Sequence, residues 1–150
     1  VSALQQERYS QQPFLPLGSL QDQLLFPGPR PGEAVPGDAV LRGVMERVGL
    51  VDLLDRHDDL AVVEDWNRLL SGGEQQRLGF ARLLLRRPVL AILEEASSAL
   101  DLAAEHDLHI QLVATGPTLV SVGHRPSLRA FHQWELELQG GSRRRLDALP

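Results

Sequence analysis

An α/β fold, with a parallel core sheet and an inserted helical subdomain, is predicted by three features of this 150-residue sequence. Two short apolar runs, Val89-Leu90-Ala91-Ile92-Leu93 and Thr118-Leu119-Val120-Ser121-Val122, have the hydrophobicity of parallel strands covered on both faces. Segments of helical periodicity precede and separate those runs, the alternation that builds a parallel sheet. The middle third carries helical patterns only, so it reads as an insertion between a first strand and the rest of the sheet.

In chain order, a first strand ends near Tyr9. The loop Gln11-Gln12-Pro13-Phe14-Leu15-Pro16-Leu17-Gly18 is held extended by its two prolines. Ser19 caps a short amphipathic helix through Leu25, and Pro27 to Gly37 is a connector rich in proline and glycine. Asp38 is placed to N-cap a helix with Val40, Leu41, Val44 and Val48 at helical spacing. Gly49 stops it, and Val51 to Leu54 adds another turn or two. An amphipathic helix with Leu78, Ala81, Leu84 and Leu85 ends at Pro88. A helix from about Leu102 to Ala114 joins the two apolar strands, Ser127 begins another short one, and Trp134 to Leu138 alternates like an edge strand. The boundaries that follow are 1–18 for the first strand and its loop, 19–86 for the helical subdomain, 87–139 for the core sheet and 140–150 for a tail.

Composition narrows the function classes. A net charge of −5 and a pI near 5.5 argue against a nucleic-acid-binding surface. The only basic run, Arg143-Arg144-Arg145, sits in the expected tail and reads as a solvated end. Without cysteine, disulfides and thiolate metal sites are impossible. No stretch approaches the ~20 apolar residues needed to cross a bilayer. All fifteen basic residues are arginine, so the lysine-dependent phosphate loop Gly-x-x-x-x-Gly-Lys-Ser/Thr is not in this sequence. Val1 runs straight into a strand-like segment, and the expectation is a longer polypeptide that supplies such a loop upstream.

Three constellations carry chemistry. Ser71 followed by Glu74 is a capping box. Gly72 and Gly73 go beyond a cap: two glycines in a first helical turn cost about 1 kcal/mol each against alanine. They make sense where backbone N–H groups approach a phosphate at the positive end of a helix. In Leu93-Glu94-Glu95-Ala96-Ser97-Ser98-Ala99-Leu100-Asp101 an apolar strand ends in two adjacent acids, at the sheet edge where ligands gather in open α/β folds. His124 follows the second apolar strand after Gly123, whereas His57, His106, His109 and His132 read as structural or solvated.

Leu70-Ser71-Gly72-Gly73-Glu74-Gln75 resembles the signature loop of ATP-binding-cassette (ABC) proteins. The later segments resemble that family's Walker B strand, D-loop and switch histidine, and Gln11 resembles its Q-loop glutamine. The whole is similar to the C-terminal part of an ABC nucleotide-binding domain, a partial P-loop NTPase. Pro13-Phe14-Leu15-Pro16-Leu17-Gly18-Ser19-Leu20, Asp65-Trp66, and Ser121-Val122-Gly123-His124-Arg125-Pro126-Ser127-Leu128 with Phe131-His132 further resemble subfamily D, the half-transporters of fatty acyl-CoA or cobalamin and their bacterial relatives.

The resemblance implies ATP and Mg2+ as cofactors and ATP hydrolysis driving transmembrane transport. It implies that Glu94 holds magnesium through water, with Gln11 sensing the metal and the attacking water. Glu95 would orient or deprotonate that water, and His124 would contact the γ-phosphate. Ser71, Gly72, Gly73, Glu74 and Gln75 would bind nucleotide in trans, and Ser98, Ala99, Leu100 and Asp101 would form the D-loop. The partners implied are a second nucleotide-binding domain, homo- or heterodimeric, and a transmembrane domain N-terminal on the same polypeptide, with no nucleic acid. The place implied is the cytoplasmic face of a bacterial inner membrane, or a peroxisomal or lysosomal membrane in a eukaryote.

One departure stands out. The family normally has aspartate at the position of Glu94, and the extra methylene shifts the carboxylate by about an ångström, a displacement able to cost on the order of a hundredfold in rate. Two alternatives follow: a degenerate regulatory cassette that does not hydrolyse ATP, and a soluble ATPase of DNA repair. The compact interval from Gln11 to Ser71, without heptads or cysteines, disfavours the latter. The chain by itself is expected not to turn over ATP.

Overall fold

The computed structural model describes residues 6–138 and 144–150. Strands β1 (Gln6–Ser10), β4 (Leu90–Glu94) and β5 (Thr118–Val122) form a three-stranded parallel sheet in the order β1-β4-β5. Ser10 lies opposite Glu94, and Glu94 opposite Val122, so all three C-terminal ends open at one edge. Between β1 and β4 come the two-residue strands β2 (Gly18–Ser19) and β3 (Val63–Glu64), which pair antiparallel, and five helices. These are α1 (Leu20–Leu25), α2 (Asp38–Arg47), α3 (Val51–Arg56), α4 (Trp66–Leu69) and α5 (Gly72–Arg86). Helix α6 (Leu102–Val113) links β4 to β5. A 3-10 helix, Pro126–Phe131, then leads to an antiparallel pair, β6 (Trp134–Leu138) and β7 (Arg144–Ala148).

The helical subdomain closes on its own apolar residues. Leu20, Leu24, Leu41, Met45, Trp66 and Leu83 are all buried around α5. Ser19 and Asp22 form the capping box of α1, and the indole of Trp66 donates to the Gly18 carbonyl at 2.9 Å. Gly49 sits at φ +76, where a Cβ would lie 2.5 Å from Arg77 Nη1; that nitrogen donates to the Val48 carbonyl. The turn therefore needs glycine both for its backbone and for the guanidinium packed on it. Arg82 is buried on α5 and donates to the carbonyls of Gln23 and Phe14, at 2.6 and 2.9 Å. It anchors the loop after β1, and burial pushes its pKa down to about 10.

Four expectations need correction. Asp38 is the first residue of α2 and Gly37 the N-cap; the Asp38 carboxylate reaches forward to Arg42, one turn on, at 2.6 Å. β5 is not covered on both faces: Val120 and Val122, which share one face of the strand, are about half exposed, because among the described residues nothing packs over that face. Ser127 lies inside a 3-10 helix that Arg125 caps, not at a helix start. The stretch read as a tail carries β7, which includes Arg144 and Arg145 of the basic run and pairs with β6. Arg143 lies outside the described residues. No helix among the described residues is long and apolar enough to cross a membrane.

Candidate functional site

The two acids end β4 in different environments. Glu94 meets Arg8 on the adjacent strand, with 2.6 Å between Arg8 Nη2 and Glu94 Oε2. Glu95 has φ +50, a left-handed conformation uncommon for a residue with a Cβ. Such strain concentrates at functional sites. Its N–H donates to the Val122 carbonyl at 2.9 Å, which ties the end of β4 to the end of β5. The next two residues bring His124 around so that its Nδ1 lies 3.0 Å from Glu95 Oε1. A Cβ at Gly123 would lie 2.8 Å from Leu128 Cδ1, so a side chain there would require the Leu128 side chain to shift.

Across the Ser97–Leu100 turn lies the start of α5. Ser71 Oγ accepts from the Glu74 N–H at 3.2 Å, and Glu74 Oε2 accepts from the Ser71 N–H at 2.8 Å. Arg56 pairs with the other oxygen of Glu74. Burial would raise the Glu74 pKa, but the Ser71 hydrogen bonds and Arg56 outweigh it and hold the carboxyl below its ordinary value. Gln75 donates to the Leu70 carbonyl at 3.1 Å, and Asp101 caps α6 by accepting from the Ala104 N–H at 2.8 Å.

Gly72 and Gly73 have no such local reason. Neither has positive φ, and a Cβ on either would meet its nearest neighbour at an ordinary 3.5 Å. Ser71, Gly73 and Glu74 face Ala99, Leu100 and Asp101 across an open cleft of about 430 Å³. First-turn N–H groups lack intrahelical partners, so this cleft receives the positive end of a fifteen-residue helix.

The structure thus gathers the predicted residues into two groups. Glu94, Glu95 and His124 stand at the sheet edge, while Ser71, Gly73, Glu74 and Ala99 to Asp101 line the cleft. Ser98 lies between them. Gln11 is exposed and joins the first group through its carbonyl, which accepts from Gln76 Nε2 at 3.3 Å. No group of three or more His, Cys, Asp or Glu among the described residues is placed to hold a metal. Glu94 and Glu95 are engaged separately, with Arg8 and with His124, and either could serve a hydrated magnesium ion, which keeps most of its waters and takes only one or two carboxylates plus substrate phosphates.

Residues 5–98 match the family described as ABC transporter. The chain belongs to that family. It is 42% identical over 133 residues to an uncharacterised ABC transporter ATP-binding protein of Synechocystis, covering 89% of this chain and 20% of the relative. It is 37% identical over 132 residues to ATP-binding cassette sub-family D member 3 of Rattus norvegicus, covering 87% and 20% respectively. Its fold matches a bacterial Atm1-family ABC exporter solved with ATP bound, with a TM-score of 0.71 at 24% identity, covering 89% of this chain and 23% of that one. The chain therefore spans about a fifth of the length of the relatives it matches. The resemblance to subfamily D and the ABC ATPase fold class both stand.

Three residues of this neighbourhood, Gln76, Glu105 and Arg125, were given no role by the sequence reading. Gln76 is buried between the Q-loop, Glu95 and the D-loop. Its signal was present: it shares the apolar stripe of α5 with Phe80 and Leu83, and a polar residue on such a stripe needs partners. Glu105 is fully buried on α6, where Ser97 Oγ donates at 2.6 Å, Ser127 Oγ donates as well, and Arg125 pairs at 3.1 Å. Burial alone would raise its pKa; Ser127, Ser97 and Arg125 together hold it below the usual value. Only the tertiary fold brings Arg125 and Glu105 together, and no local pattern announces that pair.

Proposed function

We propose that the chain is the C-terminal portion of a nucleotide-binding domain that binds and hydrolyses magnesium-ATP at a head-to-tail dimer interface and drives transmembrane transport. The observation that carries this reading is the Glu95–His124 pair, held at 3.0 Å on the C-terminal edge of a parallel sheet, next to a polar cleft headed by a helix N-terminus. Glu95 acts on the attacking water as general base or orienting group. His124 holds the γ-phosphate side and keeps the Glu95 carboxylate aimed. Ser71, Gly72 and Gly73, with Glu74 and Gln75 fixing their backbone, offer the positive end of α5 to the nucleotide of a second domain. Gln11 would sense the attacking water and Glu94 would hold the hydrated cation, which would supply neutralisation of phosphate charge when bound.

The partners are a second nucleotide-binding domain and a transmembrane domain, N-terminal on the same polypeptide as in half-transporters. Its place is the cytoplasmic face of a bacterial inner membrane, or a peroxisomal or lysosomal membrane in a eukaryote. The phosphate-gripping loop is supplied from outside these 150 residues, so the chain alone does not turn over ATP.

The Arg8–Glu94 ion pair favours a second reading, a cassette that engages a partner without hydrolysis, because Arg8 competes for the carboxylate that would face the cation. ATP turnover by the complete purified polypeptide decides between the two. Hydrolysis that falls on the order of a hundredfold or more in Glu95→Gln, with nucleotide binding retained, supports the first. Absence of turnover in the unaltered protein would leave the second.

A further inference from the structure

The turn Ser98-Ala99-Leu100 is held from two sides by side chains that no nucleotide role accounts for. From α5, the Gln76 amide is 3% exposed. Its Nε2 donates to Ser98 Oγ at 3.0 Å and to the carbonyls of Glu95 and Gln11, each at 3.3 Å. Its Oε1 accepts from the Ala99 N–H at 2.8 Å. From the other side, Arg125 Nη2 donates to the Ser98 carbonyl at 2.8 Å, and Nη1 donates to the Leu100 carbonyl at 2.9 Å. Glu105 pairs with the same guanidinium at 3.1 Å and fixes its direction.

These contacts close a ring. Gln76 grips the backbone of Glu95, Glu95 faces His124, and His124 is bonded to Arg125. Arg125 returns through Ser98 and Leu100 to the turn that Gln76 also holds. Gln76 lies about one turn of α5 beyond Gly72 and Gly73. A shift of that helix start is therefore passed on through the amide to Ala99 and Glu95. Fully satisfied, partly buried polar networks rigidify their surroundings, and removing one member leaves several groups unpaired.

We propose that Gln76 and Arg125 are positioning residues, a two-sided clamp on the 98–100 turn that makes the α5 N-terminus, Glu95 and His124 move as one unit. The proposal rests on the hydrolysis reading above. Neither residue is offered to a ligand: Gln76 is buried, and both terminal nitrogens of Arg125 are engaged with its own chain. The clamp therefore governs the rate of the chemical step and leaves the affinity for ATP alone.

The test is steady-state ATP hydrolysis by the complete polypeptide, unaltered and as Gln76→Leu, Arg125→Met, Arg125→Lys and the Gln76→Leu/Arg125→Met double variant, with thermal melts of each. Gln76→Leu is expected to lower kcat about tenfold to a hundredfold, with KM for ATP within about twofold, the split that marks loss of an interaction made in the transition state. Arg125→Lys is expected to retain more activity than Arg125→Met. The double variant is expected to lose no more than the worse single one, since both act through one turn. A rise in KM with kcat unchanged, or losses that multiply in the double variant, would overturn the clamp. If Arg125→Met does not fold, the kcat and KM of Gln76→Leu decide alone. An unaltered protein without turnover brings down the hydrolysis reading and the clamp with it, whereas an active one with indifferent variants brings down the clamp only.

Discussion

The two halves of the candidate site are built in opposite ways. At the signature cleft most polar side chains are satisfied within a few residues, Ser71 with Glu74, Gln75 with the Leu70 carbonyl and Asp101 with the Ala104 N–H, with the Arg56–Glu74 pair as the longer-range exception. What remains for a ligand is backbone, at two glycines that need no special conformation in their own chain. At the sheet edge every important contact is tertiary: Arg8 with Glu94, Glu95 with His124, Arg125 with Glu105. The cleft is thus a local structure that offers an outward surface, and the sheet edge is a long-range assembly that holds groups inward. Damage to the packed contacts of the second should cost stability, and damage to the glycines of the first should cost function at unchanged stability.

The largest effect on stability is expected at the inward assembly. Glu105→Ala leaves the Arg125 charge and the hydroxyls of Ser97 and Ser127 without their shared acceptor. A cost of about 3 kcal/mol is expected, the low end for a broken buried pair because Arg125 is partly exposed. Chemical denaturation of unaltered and variant protein measures it. The depressed pKa of Glu105 adds a pH signature. Its stabilisation is complete above the ordinary carboxylate range and is lost as pH falls through the lowered folded value, so the gap between the two proteins should close in acid. A gap that persists at low pH would mean that packing, not charge, holds this corner.

The cleft should behave the other way. Gly73→Ala places a methyl group 3.5 Å from the Ala99 carbonyl, ordinary contact, so the melting temperature should hold or rise slightly. If the first turn of α5 receives a phosphate as proposed, ATP turnover of the complete polypeptide should nevertheless fall, by on the order of tenfold to a hundredfold, through crowding of that backbone. A variant that loses stability along with activity would erase the contrast between the halves.

That contrast also explains what the sequence made legible. The caps at Ser19 and Ser71 were readable because capping is settled within four residues, whereas Asp38 fell one position inside its helix. Parallel strands at Leu90 and Thr118 were readable from their apolar runs. The half-exposed face of β5 was not, since a run of Thr-Leu-Val-Ser-Val does not say whether a neighbour covers it. Arg125 and Glu105 lie 20 positions apart, and Arg8 and Glu94 lie 86 apart; such pairs are products of topology, not of pattern. Gln76 falls between, visible as a polar interruption of an apolar stripe, but without a partner until β1 and β4 are laid side by side.

The smallest expected effect concerns a histidine behind the sheet-edge assembly. His109 is buried on α6, stacked on Phe131 with centroids 4.8 Å apart, edge-on to Phe80 at 5.3 Å, and its Nε2 has no hydrogen-bond partner. Burial pushes its pKa down, against the Glu105 carbonyl and charge, which favour the proton. A depressed histidine pKa means that the unfolded chain takes up the proton first. Stability is therefore complete above the ordinary histidine value and declines as pH falls below it. His109→Phe keeps the ring and removes both the orphaned nitrogen and the titration. It should leave stability at pH 8 within about 1 kcal/mol and flatten the decline between pH 7 and pH 5. Denaturation midpoints at those three pH values read the difference directly, and an equal slope in both proteins would assign the decline to other groups.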